Sequence, residues 1–172
     1  YAAPSAYYFP TAGRMQQVEV LKGTSSAMYG PRTTGGVVNM LSRQIPIEPL
    51  AGQLSAQSGQ DGFAKLHGFI GGQGKTFGSL FEAYRYQANG FKQIAHSDRD
   101  TGFVKNDVLA KVNYMFDLGV EQVLELKLKY SDEDSNESYM GLTDQDYLAS
   151  PFIRYSASQK DNMTTDHQQV QL

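Results

Sequence analysis

The sequence predicts a mainly β chain: an irregular N-terminal segment followed by a run of antiparallel hairpins. Three observations carry this. From Leu54 onward, apolar residues recur at every second position, the period of a strand and not of a helix. The alternating runs are separated by turn-forming clusters such as Gln60-Asp61-Gly62 and the glycine-rich stretch 71–75. No window approaches the ~20 apolar residues that a membrane-crossing helix needs, which excludes a helical membrane protein and leaves a β-barrel open.

Composition agrees without deciding. The chain holds 11 Tyr, 9 Phe and 17 Gly with no Trp, a pattern shared by outer-membrane barrels and by secreted β-sandwiches. It holds no Cys, so neither a disulfide framework nor a thiolate metal site is available. The net charge of -3, with Lys and Arg scattered, argues against a nucleic-acid partner. Because the chain starts at Tyr1 and ends inside a polar run, it reads as an internal piece of a longer protein.

Residues 1–49 stand apart: they carry five of the six prolines and only short strand-like runs. Within them, Arg14 to Arg43 reads as strand, short turn or helix, then strand. Gly30-Pro31 and Gly35-Gly36 act as breakers. Residues 45–49, Ile-Pro-Ile-Glu-Pro, read as an extended linker, since each proline biases its predecessor away from helix.

The hairpins follow. Leu54, Ala56 and Ser58 alternate with polar neighbours. Ala64, Leu66, Gly68 and Ile70 share a face, with Lys65 and His67 opposite. A third strand is expected from Phe77 to Gln87, with Glu82 and Tyr84 on one face and Phe81 and Arg85 on the other, its outward side unassigned. Residues 89–106 read as a loop. Val108, Ala110, Val112, Tyr114 and Phe116 then face one way, with Lys111 and Asn113 opposite. After a turn at 117–121, Leu124, Leu126, Leu128 and Tyr130 oppose Glu125, Lys127 and Lys129. In water this is a strand pair with one buried face. In a barrel the Leu and Val face meets lipid and the charged face lines the lumen. Short connections near 73 and 119 alternate with long ones at 89–106 and 132–165, the asymmetry of outer-membrane barrels, with the short turn near 61 as an exception. Tyr114 and Phe116 fall near one membrane interface and Tyr130 near the other.

One stretch is more specific. Tyr7-Tyr8-Phe9-Pro10, Arg14, Val18-Glu19-Val20-Leu21-Lys22-Gly23, Tyr29-Gly30-Pro31, Gly35-Gly36-Val37-Val38-Asn39 and Arg43 stand in order. In sequence and spacing they resemble the end of the plug domain of TonB-dependent outer-membrane receptors. Asn89-Gly90-Phe91 through Asp100-Thr101-Gly102-Phe103 to Lys111 resembles an early barrel hairpin of that family. Gly141-Leu142-Thr143 through Tyr155 resembles a long outer loop, most of all that of the ferric-citrate branch. The resemblance implies that residues 1–49 are the C-terminal part of a plug domain. It makes residues 50–172 the first antiparallel strands of a large transmembrane β-barrel, incomplete here, where the family has ~22 strands around a plugged lumen. It implies active uptake of a ferric siderophore or ferric citrate across the bacterial outer membrane. The partners would be the TonB energy-transducing protein and outer-membrane lipid or lipopolysaccharide. No cofactor is implied beyond the ferric chelate as cargo.

The resemblance also nominates residues. Tyr29, at a bend that can reach the plug apex, and Arg32, just after it, would contact ligand. An arginine suits an anionic ferric chelate through charge-assisted hydrogen bonds. Arg154 and Tyr155, in the long outer loop, would do the same, with Lys160 a weaker candidate. Arg14, Glu19 and Arg43 would form ion pairs between plug and barrel. Each has an ordinary alternative: Tyr29 as a packing residue, Arg154 as a solvated loop arginine, Arg14, Glu19 and Arg43 as charges at strand ends. Gly35 and Gly36 are expected to serve a tight turn.

Other motifs fail on inspection. The stretch 71–76, GGQGKT, lacks the earlier glycine of a phosphate-binding loop, since that position is Phe69. Asp132, Asp134 and Asn136 begin like a calcium loop, but Glu137 stands where glycine is required. His67, His96 and His167 lack metal-ligand spacing, and no catalytic constellation is present, so an enzyme is not expected. The remaining rivals are an importer of cobalamin, haem or a glycan, a passive porin, and a secreted β-sheet binding module.

Overall fold

The computed structural model describes residues 10–23, 28–30 and 35–172. The chain divides into two compact units, residues 1–45 and 46–172.

The first unit is a hairpin. Strand β1, Met15–Leu21, pairs antiparallel with β2, Val37–Ser42. Alternation fixes its faces: Val18, Val20 and Val38 are exposed, while Glu19 and Leu21 between them are half-buried. β2 starts directly after Gly36, whose φ is +115°, in the left-handed region. A Cβ there would also stand 2.7 Å from the Leu21 carbonyl oxygen, so the chain can re-enter beside β1 only with glycine at this position.

The second unit is one antiparallel sheet of six strands plus its loops. The strands are β3 (Ala51–Ser58), β4 (Ala64–Gln73), β5 (Phe77–Ala88), β7 (Phe103–Asp117), β8 (Glu121–Ser135) and β10 (Met163–Gln171). Their order across the sheet is β10-β8-β7-β5-β4-β3, each beside the strand it follows, as in a meander. The β3–β4 connection turns through Asp61 and Gly62, at φ 54° and 67°, the two left-handed residues of a hairpin turn. The stretch 71–76, set aside above as a phosphate loop, is the end of β4 and a tight turn into β5.

Register decides the faces. One row runs Leu54, Gly68, Ala83, Val108, Tyr130 across neighbouring strands. The row toward the short turns runs Gly52, Ile70, Phe81, Ala110, Leu128. The opposite face carries His67, Tyr84, Asp107 and Ser131 in one row, and Phe69, Glu82, Leu109 and Lys129 in the next. The apolar face is the exposed one: Leu54 is 76% exposed, Ile70 56% and Phe81 52%. The charged face is the covered one: Glu82 and Asp107 are fully buried and Lys111 nearly so. A protein folded in water inverts this, since a contiguous apolar face of this size is covered and charges are left wet. The pattern is that of a transmembrane β-barrel wall, apolar to lipid and polar to the lumen. It assigns the outward side of β5 to Phe77, Phe81, Ala83 and Arg85.

On β7 the apolar belt runs from Val108 to Phe116, roughly 27 Å of strand and about 20 Å of height at a tilt of ~40°, close to the ~25 Å band of such barrels. Tyr114 and Phe116 stack at its short-turn end, centroids 6.1 Å apart, with Phe77 opposite Tyr114. Tyr130 marks the other end.

Two expectations need correction. Residues 103–106 and 132–135, read as loop from their polarity, continue β7 and β8, which are 15 residues each. Cross-strand polar pairs replace apolar burial there: Lys105 Nζ lies 2.7 Å from Glu133, and Asn106 Nδ2 2.8 Å from Asp132. β10 was also illegible, because its Thr, Asp, Gln and His residues carry no hydrophobic alternation. It pairs with β8 along nine positions.

Placing a charge on each face tests this assignment. In the full-length protein folded into vesicles, Val112→Arg is expected to lower stability by about 2–4 kcal/mol in a denaturant titration. Asn113→Arg, one residue on and facing inward, should cost markedly less. The reverse ranking would overturn the faces.

Candidate functional site

The long connections all leave the same end of the sheet, and they build a joint structure instead of separate loops. β6, Gln93–Ile94 in the 89–102 connection, pairs in parallel with β9, Ile153–Arg154 in the 136–162 connection. Ile94 is buried at this junction, and Phe91 meets Phe152 edge to face at 5.9 Å. The second loop also carries a one-and-a-half-turn helix, α1, Asp144–Ala149.

Asn136 is the hub. Its backbone N–H donates to the Gly102 carbonyl at 2.8 Å, and its Nδ2 donates to Asp100 Oδ1 at 2.8 Å. Its Oδ1 accepts from Arg99 Nη2 at 2.5 Å, and its carbonyl accepts from Arg154 Nη1 at 2.5 Å. Arg99 reaches on to the Gln159 carbonyl at 2.6 Å. Two guanidinium groups and one amide therefore tie both loops to the polar end of the β7–β8 hairpin.

Arg154, expected at the ligand, is 9% exposed and serves this framework, with further bonds to Ser158. Tyr155 closes a small ring. Its hydroxyl donates to the Asp146 carboxylate and accepts from the Thr143 backbone N–H at 3.1 Å, while Thr143 Oγ1 caps α1 by accepting from the Asp146 N–H at 3.2 Å. The Tyr155 hydroxyl, and after it Thr143, holds the Asp146 carboxyl below its usual value. Lys160 ends the short 3-10 turn Ser156–Lys160.

Beside the junction lies a cavity of about 630 Å³, within the range of ligand pockets. Lys92, His96, Asp98, Arg99, Asp100 and Ile153 line it. His96 holds a left-handed φ of 59°, uncommon for a residue with a side chain and a recurrent mark of functional loops. Neither Lys92 nor Arg99 is singled out by the sequence, and His96 is considered there only as a metal ligand. The one available signal was their density between two glycine-bearing turns.

Beneath the loops, on the inward face, Phe63, Tyr84, Tyr86 and Phe103 form an aromatic column with ring centroids 4.7–6.3 Å apart. Below it His67 Nε2 lies 2.8 Å from buried Glu82, and Lys129 lies 3.8 Å from buried Asp107. Charged groups stand among these rings as well, since Lys65, Lys105 and Glu133 share the inward row of Tyr86.

In the first unit, Arg14 is buried in the short 3-10 turn Ala12–Arg14, and Arg43 follows β2 at the same end of the hairpin. Glu19 sits mid-strand, its carboxylate accepting from Gln17 Nε2 and Asn39 Nδ2, each at 3.0 Å. Tyr29 is half exposed. Arg32 lies outside the described residues. Among the described residues no cluster of His, Asp or Glu could hold a metal ion, and no helix is long and apolar enough to cross a membrane.

No family model matches the chain, and no solved structure shows significant similarity to it. Over 125 residues it is 30% identical to the vitamin B12 transporter BtuB of Photobacterium profundum. The match takes in 71% of this chain and 20% of that protein, so the chain spans about a fifth of its relative's length.

The ring around Tyr155 gives a pH prediction. Asp146 is depressed in the folded loop, so its contribution is complete above the ordinary value of 3.8 and is lost as pH falls through the lower folded value. Exchange protection of the α1 amides should drop below that point. Tyr155→Phe should shift the drop upward toward 3.8, and an unshifted drop would remove the hydroxyl as the cause. Together, the lipid-ready sheet and the match to a transporter support the coarse family resemblance read from the sequence, that of TonB-dependent outer-membrane receptors.

Proposed function

We propose that this chain is part of a TonB-dependent transporter of the bacterial outer membrane that captures a scarce, bulky chelate outside and imports it with energy from the inner membrane. Residues 1–49 supply the end of the plug and residues 50–172 the first strands of the barrel. The observation that carries the reading is the inverted sheet, apolar outward and charged inward, joined to a plug-like segment that a passive porin or a secreted sheet would not need. A transporter breaks no bond in its cargo.

For the cargo, we favour a ferric chelate of the siderophore or citrate kind. The support is Arg32, the basic residue after the plug bend, together with Lys92 and Arg99 at the outer cavity, where Asp98 and Asp100 stand beside them. Charge-assisted, forked hydrogen bonds from arginine suit an anionic chelate. Tyr29 would add an aromatic contact. Arg154 and Tyr155 would act one step back, holding the loop that presents the cavity. A second reading, cobalamin, is favoured by the function of that relative, and the aromatic column of Phe63, Tyr84, Tyr86 and Phe103 suits a large planar ring as well.

Uptake by cells separates the two. In a strain lacking the full-length gene, loss of growth on ferric citrate or on one siderophore under iron starvation, restored by the gene only with the energy-transducing partner intact, is the expected result. Loss of cobalamin-dependent growth instead selects the second reading. Normal growth on iron chelates, cobalamin, haem and glycans alike would overturn the transporter. For a ferric chelate, Arg32→Ala should weaken binding about tenfold, the ~1.4 kcal/mol of a lost charge-assisted contact, and unchanged affinity would remove Arg32 from the site.

A further inference from the structure

We propose that a groove in the outward face of the sheet holds one acyl chain of an anionic, phosphate-bearing lipid of the outer leaflet, with the phosphate against Arg85. The proposal rests on the membrane reading above and goes beyond it, because a barrel wall needs only to be apolar and has no need to select a lipid.

The groove follows from the register. In the row Leu54, Gly68, Ala83, Val108, Tyr130, the two smallest side chains are cross-strand partners. They form a floor between Leu54 and Val108, with Leu66 at the loop end and Ile70 and Phe81 at the turn end. The resulting cavity measures about 420 Å³. Leu54 leans over Gly68, with its Cδ1 only 3.0 Å from where a Cβ would stand, and so makes one wall. From Arg85 to Phe81 the trough follows four residues of strand, about 13 Å, the scale of a short acyl chain laid along the barrel.

Charge complementarity selects the headgroup. Arg85 closes the loop end of the trough, where the headgroups of an outer-leaflet lipid would lie. It is the one basic residue among all outward positions of the six strands. It is exposed, and its guanidinium is held in place by Gln87 Oε1 and Asn106 Oδ1, both at 3.1 Å. Two of its five N–H donors are used in these bonds, which leaves a fork for phosphate oxygens. The nearest outward carboxylate in this row, Asp132, is two strands away, about 10 Å, and accepts from Asn106.

The test uses the full-length protein in a cysteine-free background, reconstituted in phosphatidylcholine vesicles. A fluorophore on Val108→Cys reports the groove, and one on Leu126→Cys reports plain wall. Quenching by mid-chain doxyl phosphatidic acid is compared with quenching by doxyl phosphatidylcholine. At Val108→Cys phosphatidic acid should be preferred about fivefold, as expected for one arginine near a membrane surface. At Leu126→Cys the two should be equal. The preference should vanish in Arg85→Gln, which removes the charge, and in Ala83→Phe, which fills the floor. Equal quenching by both lipids at both positions, or a preference that survives Arg85→Gln, overturns the groove while leaving the membrane reading in place. No quenching at either position overturns the membrane reading itself, and the groove with it.

Discussion

The structure depends on one constraint: a sheet exposed to lipid must pair its own backbone and turn every polar side chain away from the hydrocarbon. No water is present there to satisfy a stray N–H or carbonyl. The chain meets the constraint with period-two alternation from β3 to β8, in one sheet of continuous register that β10 completes. Because the period is two, a slip of one residue at any pairing would move a whole face into the wrong solvent. Inward polar pairs help to pin the register: His67 hydrogen-bonded to Glu82 between β4 and β5, and the ion pairs Lys111 with Glu125 and Lys129 with Asp107 between β7 and β8. Lys111 and Lys127 stand directly opposite, an unfavourable pairing on its own, and Glu125 at 3.5 Å from Lys111 Nζ offsets it. Buried charges of this kind are expensive unless partnered, so they specify the arrangement more than they stabilise it.

Beyond the apolar belt the same strands continue under different physics. Lys105–Glu133 and Asn106–Asp132 carry the β7–β8 hairpin past the membrane level, where water can take the place of lipid. That extension gives the loops something rigid to stand on. Asn136 and Gly102 at its end anchor the 89–102 and 136–162 connections, and Arg99 and Arg154 knit them together. A binding loop on a rigid base loses less conformational entropy on capturing its ligand than one that must be ordered in the act. The strained His96 and the charged cavity beside it lie on this base, at the edge of the ordered framework.

The two faces of the wall serve different solvents and therefore follow different chemical rules. Inward, aromatic rings and charged side chains share the same rows. Outward, the belt is apolar, and at its loop end Arg85 stands above the shallow row of Gly68 and Ala83, with Asn106, Asp132 and Asp166 following it across the neighbouring strands. A cation at the headgroup level is costly to bury and cheap to keep at the interface, where it can meet phosphate.

The sequence by itself determined the strands, the turns and the pairing of faces wherever burial in lipid left an alternating trace. Leu66 and Ile70, Val108 through Phe116, and Leu124 through Tyr130 all lie on the side that their spacing predicts. It determined the glycine at position 36 as well, because the left-handed turn admits little else. Where water replaces lipid, the trace fades: β10 and the outer ends of β7 and β8 are held by cross-strand polar pairs, whose partners lie tens of residues away and leave no local period. The candidate site was less legible for the same reason. The family resemblance nominated Arg154 and Tyr155 as ligand contacts, but only the tertiary structure shows where their hydrogen bonds go, to Asn136 and Ser158 and to the Asp146 ring. It alone brings Lys92, His96 and Arg99 around one cavity, since they meet Ile153 through a parallel strand pair that closes a loop of about sixty residues. Side-chain alternation is a local property of the chain, and the commitment of a donor or the mouth of a cavity is a property of distant neighbours.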